Sequence, residues 1–449
     1  MGEGRSSEVL TAAGAAEDQS RPGAVTRSGQ VLRRLGWGVG DQAVSSLTNF
    51  AVAATAAHLL DPAHLGVYSL AFLTYAVALT ASRGLATDPL MVRLGGADHD
   101  TWRRAVQRAA GTSLMVGVAL GLALLVVAFL LSEPTRGAML SLGVTLPILL
   151  LQDAWRHAFF VAGQGKRALL NDLVWGAALV PSLWVVAATD NRTASWFVLA
   201  WGGSALVAVA VGWRQTSVTP RPDKARAWLL EHRDLNVRFM LEGMAGSASG
   251  QLRATGVGLA LGLSAVGYLQ VVNTFMGPFQ ILLLGTGVVI IPELSAIIRH
   301  NEERLLHACL VRSVALAAAA LVWGTMLWTL LPLGVGQVLV GDVWEQAHPL
   351  VPAATVALLG TSFAAGAGAG LHALGAARRS LRVMVIASLL VVLLSLAGAL
   401  AAGLQGTLIG TAVASGVGAG LFWRELRQQV QVDLGDPQHA EVSKGRGEG

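Results

Sequence analysis

Apolar residues gather along this chain in runs of about twenty, with polar positions between them. A helix needs about 20 apolar residues to cross roughly 30 Å of hydrocarbon. Runs of that length predict twelve membrane-spanning helices, near 36–60, 65–92, 109–132, 137–162, 168–189, 193–213, 237–262, 265–298, 311–332, 347–376, 383–402 and 405–424. The expected fold class is an all-α polytopic membrane protein. Of 32 Lys and Arg, only Arg136 and Arg192 fall in loops on one side, while Arg83, Arg156 and Arg253 fall inside spans. The positive-inside rule therefore predicts that both termini are cytoplasmic.

The extracytoplasmic loops are short, the longest near 333–346, and leave no room for an outer globular domain. The longest cytoplasmic connection, 214–236, carries Ala225, Trp228, Leu229, His232 and Leu235 near helical spacing beside Lys224, Arg226, Glu231 and Arg233. It predicts an amphipathic helix on the inner membrane surface. This linker divides the membrane part into a six-helix lobe at 31–213 and another at 237–425. Residues 1–30 and 426–449 are expected to be disordered cytoplasmic tails, the first polar and acidic with Glu3, Glu8, Glu17 and Asp18.

The halves echo one another in order. AHLGVY at 63–68 resembles SAVGY at 264–268, Pro89 corresponds to Pro292, Arg108 to Arg312, and GQGKRAL at 163–169 to GAARRSL at 375–381. An even number of spans per half gives both repeats one orientation. Two parallel lobes about a pseudo-twofold axis along the membrane normal are expected, with a central cavity between them.

Composition agrees with the pattern. The 449 residues are 53% hydrophobic and 13% charged, with a mean hydropathy of +0.57, outside the soluble range. A net charge of +5 comes from residues between apolar runs, without a basic or aromatic groove, so no nucleic-acid partner is expected. The lone Cys309 excludes an intrachain disulfide and a cysteine metal cluster.

Candidate chemistry lies where polar groups interrupt the spans. An arginine at mid-bilayer costs about 2.5–3.5 kcal/mol on insertion scales and so faces a partner or a wet cavity. Arg83, Arg156 and Arg253 together form a candidate anion site able to hold a phosphate or diphosphate. The alternative is neutralisation by a local acid. Asp153 lies one turn from Arg156, whereas the helix of Arg253 offers only Glu242, eleven residues away.

Asp41, Gln42, Ser45, Ser46 and Asn49 place a polar stripe on the first span, suited to cavity lining with ion coupling or to interhelical hydrogen bonds. Asn171 and Asp172 suit helix capping or a pair with Arg167. Gly277–Pro278 predicts a hinge in the eighth span. Gly117/Gly121, Gly258/Gly262, Gly366/Gly370 and Gly416/Gly420 predict close helix contacts. There is no P-loop and no zinc-protease spacing, so neither an enzyme activity nor a cofactor is expected.

FFVAGQGKRALLNDLVW at 159–175, GWGVGDQAVSSLTNF at 36–50, GYLQVVNTFMGPFQILLLGTGVVIIPEL at 267–294 and GDVWEQAHPLVP at 341–352 resemble the polysaccharide-export branch of the MOP flippase superfamily. O-antigen-type flippases belong to that branch, and MATE exporters and lipid II flippases are more distant relatives. The resemblance covers about 31–425. It implies two six-helix lobes around a cationic cavity, and alternating access that flips a polyprenyl-diphosphate-linked oligosaccharide.

Cavity arginines meet the diphosphate in that family. Arg83, Arg156 and Arg253 are positional candidates for the role rather than motif matches. Implied partners are the lipid-linked glycan, membrane lipids and a polysaccharide polymerase or glycosyltransferase complex. A drug or metabolite antiporter of the same fold, and a non-transporting scaffold for polysaccharide assembly, are the alternatives. Coupling to Na⁺ or H⁺ is left open.

Overall fold

A computed structural model describes residues 46–94, 98–189, 191–298 and 303–435, and among them the chain is helical between short turns. The first helix, α1, is described from 46 to 59. Then follow α2 (Pro62–Leu94), α3 (His99–Ala128), α4 (Thr135–Val161), α5 (Gly165–Ala188) and α6 (Ala194–Thr216). The short linker helix α7 (Ala225–Glu231) leads to α8 (Arg233–Leu261), α9 (Leu263–Ile298) and α10 (Glu303–Leu330). Two short helices, α11 (Val335–Val340) and α12 (Val343–Ala347), fill the loop before α13 (Val351–Ala373). The last element, Ala377–Gly435, breaks at Ala402 and Gly403 into α14 (377–401) and α15 (404–435).

Local chemistry accounts for many of these boundaries. Asp61 precedes Pro62 and accepts hydrogen bonds from the backbone N–H groups of Ala63 and His64, an N-cap followed by proline at the first helical position. Asp98 caps α3 in the same way through Asp100 and Thr101. Gly163 and Gly375, equivalent positions in the GQGKRAL and GAARRSL echoes, end their helices in left-handed conformations at φ 67° and 70°. Each is followed by the same closure: Gln164 N–H donates to Phe159 O at 2.8 Å, and Ala376 N–H donates to Leu371 O at 2.9 Å.

Eight helices among the described residues are long and apolar enough to cross a membrane. Phe129, Leu130, Trp184, Leu259 and Leu400 lie more than two-thirds exposed. Such a surface is stable against lipid and not against water. The chain is a multi-pass membrane protein.

The AHLGVY and SAVGY echoes meet each other. A Cβ on Gly66 would lie 1.8 Å from Leu263 O, and one on Gly267 would lie 2.4 Å from Pro62 O. The contact is reciprocal, because Gly66 and Pro62 stand to α2 as Gly267 and Leu263 stand to α9. Two backbones approach this closely only where neither carries a side chain. Beside it, Phe275 packs on Phe50 at 6.0 Å and on Trp344 at 5.1 Å, and Trp328 stacks on His348 at 4.0 Å. The motif GDVWEQAHPLVP thus docks on α9 through Trp344 and stacks on Trp328 of α10 through His348.

Three expectations change. The linker helix is one short element, and its apolar face lies on protein: Ala225 and Trp228 are buried against α3. Arg108 lies 5.4 Å from the Trp228 ring and pairs with Glu231, whose carboxyl it holds below its usual range by hydrogen bonding. Residues 426–435, expected in the C-terminal tail, instead continue α15 to Gly435 with Leu426 and Val430 buried, and the rest of that stretch lies outside the described residues.

The glycine pairs also differ among themselves. Gly117, Gly121, Gly366 and Gly370 touch neighbouring helices; Gly258 touches side chains of Val266 and Leu263; Gly262 ends α8 at φ 90°. A Cβ placed on Gly416 or Gly420 would have nothing within 4 Å, so these two make no helix contact among the described residues.

A side chain at the α2–α9 crossing forces the backbones apart. Gly66→Ala is predicted to lower stability by about 1–3 kcal/mol, the usual range for overpacking. Gly203→Ala, where a Cβ meets nothing within 4 Å, changes it little. Unfolding midpoints in detergent, followed by tryptophan fluorescence, make the comparison.

Candidate functional site

A cavity of about 780 Å³ lies between α1, α2, α8 and α9. Its polar lining is built mainly of neutral groups: Ser46 and Asn49 from α1, and Gln270, Asn273, Thr274 and Gln280 from α9. On α9 these recur at helical spacing, so one polar stripe runs down an otherwise apolar helix. Phe50, Tyr68 and Phe72 supply aromatic walls. Among the described lining residues there is no Asp or Glu, and Arg253 is the one charged side chain.

Arg253 is half-buried on α8. Its guanidinium donates to Thr411 Oγ1 of α15 at 3.5 Å, the far limit of a hydrogen bond, and makes no ion pair among the described residues. A cation so placed carries unused donors toward the cavity.

Arg83 and Arg156 are differently placed. Arg83 makes a bidentate pair with Asp153, Nε to Oδ2 at 2.9 Å and Nη2 to Oδ1 at 2.6 Å. Arg156 Nε lies 3.3 Å from Asp172 Oδ2, with both side chains almost buried. Gln152 donates to Asp172 Oδ1 at 3.0 Å and to Asn171 Oδ1 at 3.2 Å, while Asn171 donates to Ala208 O at 2.8 Å. His157 Nδ1 lies 2.9 Å from Asp153 O and 3.4 Å from its Oδ2. The result is a charged cluster joining α2, α4 and α5.

These partners differ from those predicted. Asp153 pairs with Arg83 of another helix rather than with Arg156, its neighbour one turn away. Asp172 goes to Arg156, and Arg167 turns to Gln164 and Gln215 O. The three arginines do not form one site: two are held by carboxylates and Arg253 lines the cavity. Asn49 adjoins both regions, bordering the cavity and a small gap lined by Asp172.

At Arg83, α2 passes through a π-helical turn, Arg83–Thr87. One extra residue in the turn shifts the side-chain register. Within that turn Gly84 packs against the Met240 backbone of α8, and before it Thr80 lies 3.0 Å from Ser247.

Gly277 and Pro278 line the cavity, with α9 continuous through both. Asp41, Gln42 and the side chain of Glu242 lie outside the described residues. Sequence reasoning missed Gln270, Asn273 and Gln280, although their three- and seven-residue spacing was a usable signal. Thr411 carried no such signal.

The fold has solved counterparts. A multidrug resistance transporter of the MATE family and MOP superfamily, in its inward-facing conformation, matches with a TM-score of 0.72 at 16% identity, over 86% of this chain and 95% of that one. An outward-facing MATE family transporter gives 0.58 at 16% identity, over 90% and 96%. The lipid II flippase MurJ, inward closed, gives 0.65 at 11% identity, over 88% and 89%. No protein-family model and no curated protein sequence matches the chain. At these identities the shared property is the fold, which is that of MOP-superfamily transporters.

Breaking one side of the Arg83–Asp153 pair leaves a charge without its partner. Asp153→Asn is predicted to destabilise the protein by about 3 kcal/mol, the low end for a buried pair because Arg83 is 34% exposed. Adding Arg83→Gln recovers part of that loss. Chemical unfolding of the two single variants and the double variant gives the coupling energy.

Proposed function

We propose that this protein is an alternating-access transporter that flips a lipid-linked oligosaccharide, carried on a polyprenyl diphosphate, across the cytoplasmic membrane. The carrying observation is Arg253, a cavity-lining guanidinium with one marginal hydrogen bond and no carboxylate beside it among the described lining residues. An anionic headgroup supplies the missing counter-charge. The amide and hydroxyl groups of Asn49, Gln270, Asn273, Thr274 and Gln280 suit a sugar, which presents both donors and acceptors. A cationic ligand would meet Arg253 without a compensating acid among the described lining residues.

Twelve spans in two six-helix lobes accommodate this reading. The reciprocal Gly66–Gly267 contact and the matched closures after Gly163 and Gly375 support a twofold relation between the lobes. The higher score against an inward-facing than an outward-facing structure supports a cavity filled from the cytoplasm. An anion leaving a negative interior gains roughly 2.3 kcal/mol per charge per 100 mV, which lessens the need for ion coupling.

A drug or metabolite antiporter is the second reading. The likeness to the multidrug transporter favours it, and Asp153 and Asp172 are buried acids such coupling would draw on.

Liposomes carrying the protein and a labelled polyprenyl-diphosphate sugar distinguish the two. Transfer between leaflets is predicted, with a ten- to hundredfold loss in Arg253→Gln, the worth of a hydrogen bond to a charged group, and partial retention in Arg253→Lys. Unchanged transfer in Arg253→Gln removes that residue from the site. Drug efflux that depends on Asp153, without lipid transfer, supports the antiporter.

A further inference from the structure

A second recess, of about 430 Å³, opens between α10 and α15 above Phe363 of α13 and shares no lining residue with the first cavity. Arg424 and Arg427 of α15 and His307 of α10 supply its titratable lining, and no acid lines it among the described residues. Both arginines are exposed and make no ion pair or hydrogen bond among the described residues. The neighbouring acid, Glu425, turns instead to Arg379 of α14 at 3.4 Å.

The floor is fixed by its own bonds. Phe363 O accepts from the Trp423 indole N–H at 3.1 Å and from the Ser313 hydroxyl at 2.8 Å, tying α15 and α10 to α13. Below it, Gly366 and Gly370 admit Cys309 and Leu426 to close packing. The recess is therefore present before any ligand arrives, which lowers the ordering cost of binding.

A furrow runs from it along α15. Gly416, Gly420, Arg424 and Arg427 follow at spacings of four, four and three residues, hence on one helix face. A Cβ at either glycine would meet nothing within 4 Å, so the face is open where helix packing was expected. On α10, Leu310 and Val314 continue apolar and exposed away from His307. The arginines stand at the end of the molecule that also carries Lys166, Arg167 and Arg378.

We infer that this recess binds one phospholipid with an anionic headgroup, drawn from the leaflet at the basic end. Its phosphate lies against Arg424 and Arg427 beside His307, and an acyl chain follows the Gly420–Gly416 furrow. Paired basic side chains facing an anionic leaflet favour such a headgroup. A free phosphate would leave the furrow unused. The inference stands whether or not the transported substrate is a lipid-linked glycan.

The test uses the full chain in nanodiscs of phosphatidylcholine with a small share of phosphatidylglycerol. Retained lipid is read by native mass spectrometry, after gel filtration and helix content have shown each variant folded. The wild type holds one phosphatidylglycerol, and Arg424→Gln with Arg427→Gln weakens it by about thirtyfold. Gly420→Leu, which blocks the furrow and keeps both guanidinium groups, weakens the lipid comparably and leaves inorganic phosphate binding unchanged. Equal retention in the wild type and either variant overturns the proposal. So does displacement of the lipid by glycerol phosphate at concentrations matching its own affinity, which identifies a free-anion site.

Discussion

A guanidinium inside a membrane has no bulk water to solvate it, and its pKa is too high for it to shed its charge, so it needs a carboxylate or a wet cavity. That constraint sorts the arginines of this protein. Arg83 and Arg156 are answered by Asp153 and Asp172, and the answer binds α2, α4 and α5 together. Arg253 has Thr411 at 3.5 Å and the cavity. The first two hold helices together, and the third lines the cavity, where it is the anion site proposed above.

Around this division the helices close one end of the cavity and leave polar groups along its wall. The Gly66–Gly267 crossing brings two backbones together without side chains, and two turns further along α9 Phe275 packs between Phe50 and Trp344. The charged cluster is not isolated from the cavity. Asn49 borders both regions, and the π turn of α2 begins at Arg83. A change in the helix packing around α1 or α2 therefore bears on the ion pairs and on the cavity together.

Much of this was legible in the sequence, for identifiable physical reasons. Spans follow from hydrophobic length, and the starts of α2 and α3 follow from Asp61–Pro62 and Asp98. Arg253 stood apart because its own helix offered no nearby acid. What failed was partner choice between helices. Spacing along one helix put Asp153 with Arg156, yet tertiary packing gave Asp153 to Arg83, seventy residues away. Likewise, glycine spacing cannot tell a packed contact from an open furrow, and Gly416 and Gly420 proved to be the latter. The linker helix reads as membrane-bound because an apolar face has the same composition whether lipid or α3 covers it.

The central claim is that Arg253 takes an anionic headgroup, and equilibrium binding to the purified protein tests it most directly. Short-chain polyprenyl diphosphate, monophosphate and alcohol, identical in their tails, separate the charge from the apolar part. The account predicts affinity falling in that order for the wild type, and a flattened order for Arg253→Gln with alcohol binding unchanged. Equal affinity of the wild type for the alcohol and the diphosphate would contradict it.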